Sequence, residues 1–195
     1  PLDWQTIRSS AYLYLSPADD LTLLGRSADE YKNLGFEIGL HVFNNCSHNY
    51  TWGGLDEIFT NQLGSFSSRY PNLPPPKTHR IHCIAWTDYS TLPEVEFKYG
   101  IRLDANYYYF PPTWSGIAVN DRPGFMTGSG MAMRFATTNG SPIDVYQAAT
   151  QMTDESGQVY PYTIDSLLGR ALGPEGYYGA FLANHHTDPS YTPNA

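Results

Sequence analysis

Gly35-Phe-Glu-Ile-Gly-Leu-His-Val-Phe-Asn-Asn-Cys46 is the stretch whose reading decides the fold. Phe36, Ile38, Leu40 and Val42 alternate with Glu37, Gly39 and His41, the period of two that marks a β-strand. The apolar set packs one way. His41 points the other way, near the C-terminal end of the strand, where α/β sheets and barrels build their sites. Two readings of His41 stand side by side here. It is either a site residue or a core histidine that finds a hydrogen-bond partner.

Working outward, Gly35 is a stop signal for a helix over residues 18–34, which carries a Ser27-x-x-Glu30 capping pattern. Residues 9–16 read as a first strand. Beyond Cys46, a loop to Gly54 carries His48 and Trp52. Residues 55–70 read as a second helix, with Leu55, Ile58, Phe59, Leu63 and Phe66 at helical spacing. Pro71 and the run Pro74-Pro-Pro76 end it. Residues 79–86 form a strand with His82 in the middle. A short helix over 92–99 follows, then a strand over 100–110 that places Asp104 close to a loop. Residues 111–123 are a loop around Trp114. Strands over 124–136 and 143–149 are joined through Asn139-Gly140, a hairpin signal. A helix over 163–172 and a strand over 177–183 lead to Asn184-His-His-Thr-Asp188. Strands and helices alternate with one inserted β-hairpin. The expectation is a single α/β domain over 1–195 with a mostly parallel sheet, open or closed into a barrel.

The totals exclude several classes. The chain has 195 residues, with 11 Lys+Arg against 19 Asp+Glu and a net charge of -8. That acidity argues against nucleic acid as a partner, which needs a basic surface. No apolar run approaches the roughly 20 residues of a membrane span. Low charge with 16 Tyr and many Asn, Gly, Ser and Thr fits a secreted, extracellular or cell-surface protein that handles sugars. Cys46 and Cys83 each follow a strand. Neighbouring parallel strands would bring them within disulfide reach, and a pair of buried thiols is the alternative.

Polar groups recur at strand ends: His41 with Asn44 and Asn45, His82, Asp104, and His185-His186-Thr187-Asp188. In a parallel sheet such ends converge on one face. His and Asp are ligands for a divalent transition metal, and His suits proton transfer near neutral pH. His41 has no His four residues on, so no helical ligand pair is present.

These residues carry a resemblance. Gly35-Phe-Glu-Ile-Gly-Leu-His41 is similar to the Gly-His-Glu-Ile-Gly-x-His segment of the polysaccharide deacetylases, the NodB-homology superfamily of carbohydrate esterase family four. The final strand running to His186 resembles the last motif of that family. Arg80 and Asp104 fall where its third and fourth motifs carry an arginine and an aspartate. Longer strings resemble secreted bacterial proteins of the same superfamily, among them Thr78-His-Arg-Ile-His-Cys-Ile-Ala-Trp-Thr-Asp88 and Gly100-Ile-Arg-Leu-Asp-Ala-Asn-Tyr-Tyr-Tyr109.

The resemblance implies a distorted (β/α) barrel that removes acetyl groups from a polysaccharide or oligosaccharide. A divalent metal, expected to be zinc, would polarise the acetyl carbonyl and supply a hydroxide-like water. His41 matches a ligand position, with Asn45 where the family has its second metal His, and His82 as a stand-in. His186 matches the acid that protonates the leaving group, with Arg80 and Asp104 beside it. The family's opening Asp-Asp pair has no match before residue 36. Asp19-Asp20 follows Pro17 in a helix start, the wrong context. The pair is therefore expected upstream of Pro1, which would make the domain incomplete at its N-terminus. Two further readings reuse the same fold: a non-catalytic glycan-binding module with Trp52, Trp86, Trp114 and Tyr107 to Tyr109 as a stacking platform, and an assembly subunit that contacts itself.

Overall fold

The structure, a computed structural model, describes residues 8–15, 27–46, 50–82, 88, 90–106, 131–153, 162–174 and 181–186. Its contacts divide the chain into two compact units, 1–104 with 134–145 and 105–133 with 146–195. The expected features of residues 16–26, 47–49, 83–87, 107–130, 154–161, 175–180 and 187–195 lie outside the described residues. Among them are Asp19-Asp20, His48, Cys83, Trp86 and Trp114.

The first unit is a mixed α/β arrangement on a mostly parallel sheet. Its strands are β1 (Ser10–Leu13), β2 (Glu37–Phe43), β3 (Thr78–His82), β4 (Leu103–Asp104), β5 (Met133–Ala136) and β6 (Pro142–Gln147), in the spatial order β1-β2-β3-β4-β6-β5. β1 to β4 run parallel and in chain order. Each crossover therefore steps one strand in the same direction. Among the described residues, these crossovers hold the helices α1 (Ala28–Asn33), α2 (Trp52–Arg69) and α3 (Thr91–Lys98). Right-handed crossovers that step one way put their helices on one face, and the core lies there. Leu13, Ile38, Leu40, Val42 and Ile81 from the sheet pack with Leu55, Phe59 and Phe66 from α2 and Leu92 and Val95 from α3. Burying each such side chain contributes about 1.5–3 kcal/mol.

The helix ends follow from local chemistry. Ser27 and Glu30 form a complete capping box, which sets the start of α1 at Ala28. Thr51 accepts a hydrogen bond from the Gly54 N–H and starts α2 at Trp52, three residues ahead of the apolar pattern. α1 and α3 stop in the same way. Gly35 and Gly100 have φ of 91° and 78°, a conformation that costs glycine little. The amides that follow turn back onto the last helical turn, Phe36 to Tyr31 and Ile101 to Glu96. Residues 100–102, expected as strand, are thus occupied by the end of α3, and β4 begins only at Leu103.

β5 and β6 are neighbours across the turn at Asn139-Gly140, where Thr137 and Ser141 are hydrogen-bonded and Gly140 has φ of 84°. In the second unit, β7 (Met152–Thr153) pairs in parallel with β8 (Ala183–Asn184), and α4 spans Tyr162–Leu172. Gln151 is fully buried there. Its backbone N–H donates to the Leu182 carbonyl, and its side-chain oxygen accepts from the Leu182 N–H at 3.0 Å.

Candidate functional site

Strand register sorts the polar residues of the first unit onto two faces. His41 pairs with Arg80 and Phe43 with His82, while Leu40 pairs with His79 and Val42 with Ile81. Neighbours in register point the same way, and successive residues alternate. His41, Phe43, Arg80 and His82 therefore share the face opposite the helices. His79 faces the helices, and Asp104, its partner on β4, faces them too.

On the open face the strand ends carry a cluster of rings. The Tyr14 ring meets His41 edge-on at 4.6 Å between centroids and His82 at 5.2 Å. The His41 and His82 centroids are 5.7 Å apart. Phe43 is 5.5 Å from His82 and 45% exposed, so it forms the outer edge of the cluster. His41 Nδ1 lies 2.9 Å from the Arg80 carbonyl oxygen. A carbonyl only accepts, so Nδ1 carries the proton and donates it. Nε2 then keeps its lone pair, the form that binds a metal or accepts a proton. Burial pushes His41 down to about 3, and the nearby Arg80 charge adds to this. The ring is neutral throughout the physiological range.

Beneath the rings lies a hydrogen-bonded polar row. Glu37 accepts from Ser10 Oγ at 2.5 Å and from Thr78 Oγ1 at 2.7 Å. Tyr12 Oη donates to Thr78 Oγ1 at 2.9 Å. To reach β3 from β1, the Tyr12 ring lies across β2 at Gly39, where a Cβ would sit 3.0 Å from it. Burial raises the Tyr12 hydroxyl above its ordinary value.

Behind the sheet, His79 Nδ1 and Glu96 Oε1 are 2.6 Å apart, at 1% and 0% side-chain exposure. Burial lowers His79 to about 4, with Asp104 pulling it up and Arg80 pushing it further down. Burial also raises Glu96 well above the ordinary carboxylate range.

Of the expected site residues, the structure brings together His41, His82 and Arg80. Asp104, 1% exposed, lies on the helix-facing side beside His79. Asn45 is exposed in the turn after β2, where it and Cys46 have φ of 54° and 51°. That turn is held by the Asn44 side chain, which accepts from the Cys46 N–H at 2.9 Å, and by Tyr50, which donates to the Asn44 carbonyl. His185 and His186 are exposed, directly after β8 in the second unit. Among the described residues, no group of three or more His, Cys, Asp or Glu is arranged to hold a metal ion. Sequence reasoning missed Tyr14, Phe43, Gln62 and the Glu37 row. The alternation that exposes His41 puts Glu37 and Phe43 on the same face, a signal that was available.

No family model and no curated protein matches the chain. A solved structure from Bordetella bronchiseptica, described by inference as a polysaccharide deacetylase involved in O-antigen biosynthesis, is similar at 15% identity and a TM-score of 0.44. The match covers 83% of this chain and 57% of that one, so the chain spans little more than half of that protein's length.

Proposed function

We propose that the chain is a hydrolase of the polysaccharide deacetylase kind, whose reactive centre is the ring cluster at the ends of β1, β2 and β3. The observation that carries the reading is the geometry of His41: Nδ1 lies 2.9 Å from the Arg80 carbonyl, which leaves Nε2 as the lone pair, and the ring centroid is 5.7 Å from that of a second imidazole, His82. A half-buried group with a strongly shifted pKa and a fixed tautomer, at the C-terminal ends of parallel strands, is how such centres are built.

The substrate class is an acetylated polysaccharide or oligosaccharide. His41 and His82 are the imidazole donors offered to a divalent metal such as zinc, and the described residues do not complete the set. A bound metal would polarise an acetyl carbonyl and lower the pKa of a water. The chain's own residues do the rest. Burial keeps His41 unprotonated and the Arg80 charge adds to this, while the Arg80 carbonyl orients the ring. Tyr14 packs against both imidazoles. Phe43 and His82 border the open side. The same reading includes closure of the sheet into a distorted barrel, supported by the chain-order run of parallel strands, with β5 and β6 as an inserted hairpin. Secretion belongs to it, as does a Cys46–Cys83 disulfide. No free cysteine occurs among the described residues, and Cys83 lies outside them.

Two measurements test this. Metal content is determined on the purified chain and on His41→Ala, and acetate release is followed from acetylated oligosaccharides. Near-stoichiometric metal lost in the variant, with acetate released only by the parent, supports the reading. A metal-free chain that releases no acetate when zinc is supplied overturns it.

A further inference from the structure

The end of β2 is fastened by a side chain. Glu37 N–H donates to the Ser9 carbonyl of the β1 segment. By the alternation of a parallel ladder, Gly39, His41 and Phe43 then also turn their backbones toward β1. The pairing of β1 with β2 ends at Leu13 and Leu40. At Phe43 the β1 partner is gone, and Gln62 of α2 stands in for it. Gln62 Oε1 accepts from the Phe43 N–H at 2.8 Å, and Gln62 Nε2 donates to the Phe43 carbonyl at 2.7 Å. A carboxamide has the same acceptor and donor as a peptide group, so one glutamine reproduces both ladder bonds of a missing strand residue. Leaving both groups of Phe43 without a partner would free the strand end.

The location gives this its consequence. Phe43 is two residues from His41 and in register with His82. Its ring touches Tyr14 at 5.8 Å and His82 at 5.5 Å. β1 leaves the ladder just where Tyr14 reaches across to both imidazoles.

We propose that Gln62 is the positioning residue of this ring cluster, holding the end of β2 where β1 departs and so setting the His41–His82 separation. The proposal rests on the reading of that cluster as the reactive centre. Its test is read without activity, so the two can fail separately.

The test compares the full chain with Gln62→Ala, Gln62→Leu and Gln62→Glu. Amide hydrogen exchange is read at Phe43 and at Leu55 and Val95 in the core, and ¹⁵N imidazole spectra are read at His41 and His82. Loss of both bonds in Gln62→Ala and Gln62→Leu is expected to speed Phe43 exchange by about tenfold. Leu55 and Val95 should be unchanged, and both imidazole signals should move. Gln62→Glu keeps the acceptor for the Phe43 N–H, so Phe43 should stay within about threefold of the parent. The proposal is overturned if Phe43 stays fully protected in Gln62→Ala and Gln62→Leu. It is overturned equally if the core amides loosen to the same degree, or if the imidazole signals do not move. A parent chain without deacetylase activity would sink the proposed function and leave these readouts to decide the role of Gln62.

Discussion

Replacing Glu96 with Gln should change how stability depends on pH, by an amount that follows from the buried pair behind the sheet. His79 and Glu96 are fully enclosed, 2.6 Å apart, against the Phe59 ring. Burial lowers His79 to about 4 and raises Glu96 well above its usual range. The folded pair therefore holds one proton from about pH 4 upward until Glu96 itself titrates. In the unfolded chain the two groups titrate at their ordinary values of 6.5 and 4.5. Between those values both states hold one proton, and the pair adds no slope. Above 6.5 the unfolded pair holds none, so stability is lost as pH rises, at about 1.4 kcal/mol per pH unit. In Glu96→Gln the folded site no longer carries that proton. The stability of the parent minus that of the variant should then fall as pH rises above 5.5, by about 1.4 kcal/mol for each pH unit over which the folded pair keeps that proton. Contributions from His41 and other groups cancel in the difference. Urea unfolding at pH 5.5, 6.5 and 7.5, followed by fluorescence, measures it. A difference that stays constant over those two units would refute the reasoning, because it would mean that the folded pair carries no extra proton.

Other consequences are separately measurable. Gly39→Ala puts a Cβ about 3.0 Å from the Tyr12 ring. It should cost about 1–3 kcal/mol by overpacking, and a double-mutant cycle with Tyr12→Ala should recover part of that cost; additive effects would show that the ring does not press on Gly39. Ser27→Ala removes the capping box of α1 and should lower unfolding stability by about 1 kcal/mol. Phe59→Ala, at a fully buried position, should cost about 3–5 kcal/mol in the same assay. His41, held down to about 3 by burial and Arg80, should show no imidazole titration by ¹⁵N NMR between pH 5 and 8. Its depressed value means that its contribution to stability is complete above 6.5. That contribution is lost as pH falls toward about 3, at about 1.4 kcal/mol per unit.

Local pattern made much of this fold legible. Alternation in residues 36–42 placed Ile38, Leu40 and Val42 in the core and His41 opposite, as found. The spacing of Leu55, Ile58, Phe59, Leu63 and Phe66 gave the inner face of α2. Gly35 marked a helix end because only a residue tolerant of positive φ fits there. Boundaries moved where capping overrode the apolar pattern, as at Thr51 and Gly100. The site was legible in part. His41 and His82 were singled out as strand-end residues, and the sheet brings them together. Asp104 was grouped with them by its position near a strand end. Which face it takes depends on the register of β4 against β3, and register is a property of two strands.

The sequence by itself determined the alternation of β1 to β4 with α1 to α3, the mostly parallel sense of the sheet and the face on which His41 stands, since these follow from short-range periodicity and the handedness of crossovers. Tertiary structure alone decided which groups meet. Tyr14 reaches both imidazoles, Gln62 replaces a strand for Phe43 nineteen residues earlier, and the buried His79 and Glu96, seventeen residues apart, meet at 2.6 Å. These contacts join groups on different elements. Their distances, and the loss of solvent that shifts their pKa values, exist only once the helices have packed onto the sheet.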